Sequence, residues 1–134
     1  MATVTTNVVR NFKDLDLNFM IHPVKKDINK HTGVNAVINS IKNLVLYNNY
    51  ERPFNPEFGS NLRKLLFENV DDFTSTMIER EISEMINIYE PRCQVNEIVA
   101  RASPDENGFY VELNFFVINV SDPIRITFFL ERIR

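Results

Sequence analysis

Between residues 74 and 89 the apolar side chains Met77, Ile78, Ile82, Met85, Ile86 and Tyr89 fall on one stripe, with Glu79, Arg80, Ser83, Glu84 and Asn87 opposite. That spacing predicts an amphipathic helix. Thr76 and Glu79 fit a capping box at its start, and Pro91 stops it at or before Glu90. A second stripe, Val34, Val37, Ile38, Ile41, Leu44 and Val45, predicts a helix over roughly 34–48, ended by Asn48 and Asn49. Leu62, Leu65, Leu66 and Phe67 predict a short helix started by Ser60 or Asn61. After Arg92 the period falls to two. Residues 94–102, 109–120 and 124–133 are rich in β-branched and aromatic side chains and are joined by short turns at 103–108 and 121–123. They predict three strands of an antiparallel meander. The fold class is therefore α+β, with N-terminal helices packed on a mainly antiparallel C-terminal β-sheet of three or more strands.

The chain before residue 31 follows neither pattern for long. The first ten residues have no period and suit a loose tail. Phe12, Leu15, Leu17, Phe19 and Ile21 alternate with Asp14, Asp16 and Asn18, which predicts a short strand or extended arm ended by His22 and Pro23. Residues 25–31 read as a basic, solvated loop. The expected division is an N-terminal arm over 1–30, loose or ordered by a partner, and a single α+β domain over 31–134.

Composition narrows the function. With 134 residues, 44% of them hydrophobic, and 11 Phe and 13 Ile among them, the chain suits one domain. Such a chain buries roughly two thirds of its unfolded surface and needs no staples. A net charge of −3 speaks against a nucleic-acid partner. The single cysteine, Cys93, forms no internal disulfide, and with only His22 and His31 it makes no zinc spacing. Three scattered glycines supply neither a dinucleotide-binding fingerprint nor a phosphate loop. No cofactor is implied. No apolar run approaches the ~18 residues of a membrane span, and the opening residues lack the pattern of a signal peptide. The protein is expected to act in a cytosol or in a particle assembled there.

Four features could carry function. Glu90-Pro91-Arg92 sets two opposite charges around a fixed backbone, which suits contact with a partner and equally suits a helix stop. If the pair lies on the surface, as the sequence suggests, truncating Glu90 or Arg92 costs under ~1 kcal/mol. The segment Arg52-Pro53-Phe54-Asn55-Pro56-Glu57-Phe58-Gly59 has two prolines that forbid regular helix and two Phe expected against the core. It serves function or merely closes the helix layer. Carboxylate pairs for glycoside hydrolysis exist among the 18 acids, but most lie on polar helix faces or in turns. The last strand carries Phe128 and Phe129 on opposite faces and, if it lies at a sheet edge, offers a template for strand addition.

The segment Arg52 to Gly59, then Leu62, Leu65-Leu66-Phe67-Glu68-Asn69 and Ile88-Tyr89-Glu90-Pro91-Arg92, resembles the baseplate wedge protein 25 family of contractile-tailed bacteriophages over about 50–134. Relatives of that family occur in type VI secretion baseplates and other contractile injection systems. The resemblance implies a structural, non-catalytic virion protein, assembled in the host cytoplasm, that joins baseplate to sheath. It would bind the helical core bundle formed by other wedge subunits and present a sheet to which tail sheath protein adds strands, starting sheath polymerisation. It also implies that the family's Glu-Pro-Arg motif, carried by Glu90, Pro91 and Arg92, docks on the core bundle. Arg52, Pro53, Phe54 and Phe129 complete the expected partner-binding set, with no membrane or small-molecule partner. Some members carry a lysozyme-like label, so cell-wall hydrolysis is the alternative, and an adaptor that sequesters a host protein is a third.

Overall fold

The computed structural model describes residues 12–16, 18, 20–21, 23–28 and 30–134. The expected loose tail over the first ten residues, and Leu17, Phe19 and His22 of the alternating segment, lie outside them. Strands β1 (Lys13–Leu15) and β2 (Lys30–Thr32) pair antiparallel and precede helices α1 (Val34–Leu46), α2 (Leu62–Leu65) and α3 (Asp72–Tyr89). Strands β3 (Cys93–Ser103), β4 (Gly108–Val117) and β5 (Ile124–Glu131) then form the predicted antiparallel meander, in the order β3-β4-β5. Among the described residues no helix is long and apolar enough to cross a membrane.

The N-terminal region differs from expectation. Of the strand expected over 12–21, the described residues show β1 and an isolated Ile21–Ile28 bridge, and the supposed basic loop contributes β2, with Asp14 opposite His31. Three charged or polar residues give no period to detect, so this pairing was invisible in the chain. Helix α3 also starts earlier than its supposed capping box. Asp71 caps it by accepting the Thr74 N–H at 2.7 Å, which holds the Asp71 carboxyl below its usual range, and Glu79 is free to reach the sheet instead.

Helices α1 and α3 bury Val37, Ile41, Leu44, Ile78, Ile82, Met85 and Ile86 against the inward residues Phe109, Val111, Leu113 and Phe115 of central strand β4. A bulge between Val95 and Glu97 switches the facing side chains of β3. Cys93 and Val95 point inward before it and Ile98, Ala100 and Ala102 after it, so both halves of the strand meet the helices. Burial pushes the Cys93 thiol up to about 11, which leaves it a core side chain rather than a nucleophile.

Residues 50–59 hang between α1 and α2 on a parallel bridge from Asn48 to Ser60. Gly59 makes that crossing possible: its φ is +126°, and a Cβ there would stand 2.7 Å from the Asn48 carbonyl carbon. Gly59→Ala is expected to cost about 3 kcal/mol, seen as a lower urea midpoint at unchanged slope.

Candidate functional site

At the end of α3, Pro91 cannot continue the helix, and Glu90 leaves it with φ −124° and ψ 77° after a last bond to Ile86. Its side chain turns inward and is 2% exposed, accepting from Arg92 Nε at 2.6 Å and Nη2 at 2.8 Å. The remaining edge of the guanidinium meets Asp14 of β1, whose Oδ2 lies 3.2 Å from both Nη1 and Nη2. The Phe12 ring covers the same guanidinium, with its centroid 5.4 Å from Cζ. Burial alone would raise the Glu90 pKa. Hydrogen bonds from Arg92 and from Ser40 of α1, with the Arg92 charge, outweigh burial and hold the carboxyl below its usual range. Chiefly through the Glu90 hydrogen bond, Arg92 is held further up.

The expectation that Glu90 and Arg92 lie largely on the surface is therefore wrong. Glu90 is buried and Arg92 is 22% exposed, because α1 and the N-terminal hairpin close over the motif. Only Pro91 stays exposed. The missing partner, Asp14, lies 78 residues from Arg92 in sequence, and nothing marked it among 18 acids.

The loop over 50–59 is pinned to the same place. Tyr50 donates to the Pro56 carbonyl at 2.7 Å, and the Tyr89 hydroxyl donates to the Glu57 carbonyl at 2.6 Å. Phe58 packs on Tyr89 with ring centroids 4.7 Å apart, and the Arg52 guanidinium sits over the Phe58 ring at 4.1 Å and the Tyr47 ring at 5.1 Å. Of the two Phe expected against the core, only Phe58 packs there. Phe54 is 101% exposed, because Phe58 occupies the aromatic slot against Tyr89 and the neighbouring prolines hold the loop tip outward.

An open groove of about 500 Å³ runs between β1, α1 and this loop, walled by Leu15, Ser40, Tyr47, Arg52, Phe58 and Tyr89 among others. The structure thus brings Arg52 to the groove and the Glu90–Arg92 cluster to its flank, through the shared residues Asp14 and Ser40. Pro53 and Phe54, the next residues in the chain, are exposed and do not line it. Sequence reasoning missed Tyr47 and Ser40, which carry no signal beyond their places on or just after a helix.

Phe129 is elsewhere, on the sheet face away from the helices. It is 40% exposed, stacks on Tyr110 at 4.9 Å and shares that face with the Glu112–Arg125 ion pair. Phe128 takes the opposite face, against the core, so the two lie on opposite faces as expected. Among the described residues both β3 and β5 are edge strands. Arg132 donates to the Asn107 carbonyl at 2.9 Å, so by antiparallel alternation the backbone groups of Arg125, Thr127, Phe129 and Glu131 point away from β4. Each edge is tied at one point by another element: the outward Ala100 N–H of β3 donates to Glu79 Oε1 of α3 at 2.7 Å, and just past β5 the Ile133 N–H, on that strand's outer side, donates to the Leu66 carbonyl at 2.9 Å.

Acid pairs near cavities are already engaged. Glu81 accepts the Asn61 N–H at 2.7 Å and Glu84 pairs with Arg80 at 2.8 Å, on the exposed side of α3.

A profile described as baseplate wedge protein gp25 matches residues 31–120. The baseplate wedge protein gp25 of Enterobacteria phage T4 is 31% identical over 120 residues, covering 88% of this chain and 89% of that protein. A chain of the anti-feeding prophage baseplate superposes with a TM-score of 0.72 at 21% identity, over 84% of this chain and 90% of that one. A Geobacter sulfurreducens protein provisionally described as a tail lysozyme gives a TM-score of 0.66 at 21% identity, over 73% and 89%. These last two share the fold.

Proposed function

Since the chain belongs to the baseplate wedge protein gp25 family, whose members serve as structural parts of contractile-tail baseplates, we propose that it joins the wedge core to the tail sheath within the virion. The observation that supports this most directly is the placement of two unlike surfaces on one small body. The groove, with the Glu90–Arg92 cluster at its flank and Phe54 exposed on the loop that carries Arg52, suits docking on the helical core of neighbouring wedge subunits. The β5 edge and the Tyr110–Phe129 face suit strand addition by sheath protein.

Binding of the isolated protein to purified wedge-core subunits tests the first half. Phe54→Ala should leave the melting temperature unchanged and weaken binding about tenfold, as loss of an exposed aromatic anchor does. Unchanged binding would move the docking site away from this loop.

The protein has no catalytic role in this reading. A retaining or inverting glycosidase needs one protonated acid in apolar surroundings beside a second carboxylate. The acid lining the groove, Asp14, is paired with Arg92, and Glu81 and Glu84 are engaged on an exposed helix face. Purified protein should therefore leave a peptidoglycan suspension turbid. Clearing that disappears on changing one Asp or Glu would favour the hydrolase.

A further inference from the structure

The family match begins at residue 31, so β1 and Asp14 lie outside it. We propose that Asp14 is a positioning residue for the docking site, one that ties the N-terminal hairpin to Arg92 so that the hairpin forms a wall of the groove. This inference rests on the wedge-docking reading above.

Strands β1 and β2 are three residues each, too short to order themselves. Lys13 and Leu15 point outward and are exposed, so their side chains anchor little. The hairpin's ties among the described residues include Phe12, which packs on the core, whose carbonyl accepts the Gly33 N–H at 2.7 Å and whose ring lies over Arg92, and the Asp14–Arg92 bridge, while the Asp16–His31 contact at 3.5 Å closes the hairpin on itself. Among these the bridge is the one charge-assisted tie between β1 and the motif at the end of α3.

Glu90 takes one edge of the guanidinium, through Nε and Nη2, and Asp14 takes the next, through Nη1 and Nη2. Two carboxylates on adjacent edges, sharing Nη2, hold the fork at all three nitrogens. Without Asp14, Nη1 loses its acceptor and the fork is held by Glu90 alone. Lys13, Asp14 and Leu15 also line the groove itself, so any movement of β1 removes one of its walls. One acid therefore sets both the guanidinium and the shape of the surface beside it.

The test uses the full chain with Asp14→Asn, Asp14→Ala and Asp14→Glu, read by hydrogen exchange and by binding to the purified wedge-core subunits of the same tail. Asp14→Asn and Asp14→Ala should speed exchange of the amides in 12–15 and 30–33 while leaving those of α3 and β4 protected. Both should weaken wedge binding roughly tenfold, the scale of one lost charge-assisted pair, and Asp14→Glu should restore part of it. In a cycle with Arg92→Lys the losses should be less than additive, since both changes disturb one cluster. Unchanged exchange would show that Asp14 does not hold the hairpin. Faster exchange with normal binding would remove the hairpin from the docking surface. Tighter binding would make it a cover over the groove, which also overturns the proposal. A wild-type chain that binds no wedge core would sink the docking reading itself, and this inference with it, whatever the exchange shows.

Discussion

Arg92→Ala should melt about 10–20 °C below the wild type, a loss of about 3–5 kcal/mol, because it leaves the buried Glu90 carboxylate without its counter-ion. The partners are unequal. Glu90→Ala leaves an arginine that is 22% exposed and still bridged to Asp14, so it should cost much less. Removing both should cost less than removing Arg92 alone, since the stranded charge goes with its partner. The pH dependence follows in sign. In the wild type the Glu90 pKa is lowered, so its stabilising contribution is present above the unfolded value of ~4.3 and is lost as pH falls through the folded value. In Arg92→Ala burial dominates and the folded pKa rises. The variant should therefore recover part of its deficit toward pH 4, where Glu90 can fold protonated. Thermal melts of the three variants between pH 4 and 7 check this. A loss under ~1 kcal/mol for Arg92→Ala at pH 7 would mean that Glu90 escapes to solvent without its partner.

Thr127→Pro should abolish sheath initiation while leaving the domain folded. Thr127 pairs with Glu112, but its N–H and C=O point away from β4, so proline removes no ladder hydrogen bond within the sheet. It removes a donor from the middle of the open edge, where an added strand would take its register. A neighbouring position makes the control. Phe128 lies opposite Val111 with its N–H facing β4, so Phe128→Pro should unfold the strand as well. Unchanged circular dichroism for Thr127→Pro, together with failure to nucleate sheath in a reconstituted assembly, supports strand addition at β5. A folded variant that nucleates sheath of normal length would place the sheath contact on the Tyr110–Phe129 face or on the β3 edge. Glu79→Ala, which frees the Ala100 N–H, is the matching probe of that second edge.

The sequence by itself determined the architecture of residues 31–134. Stripes at helical spacing in α1 and α3, and period-two runs ended by short turns in β3 to β5, each match an element whose buried face is set locally. It also singled out the 52–59 loop and Glu90-Pro91-Arg92, because paired prolines and a proline between opposite charges restrict the backbone whatever surrounds them. Tertiary structure decided the rest. A carboxylate on a helix end reads as solvated until its neighbours are known, and Glu90 is buried only because Ser40 and the Asp14-bearing hairpin converge on it from distant parts of the chain. The same holds for the two Phe of the loop. Composition made them equivalent, and the slot against Tyr89 admits Phe58 while Phe54 is left outside. How the sheet edges are tied was likewise decided by remote contacts, Glu79 on the Ala100 N–H and the Leu66 carbonyl on the Ile133 N–H. Period and propensity act over a few residues, whereas burial of a charge depends on which remote groups arrive to pair with it.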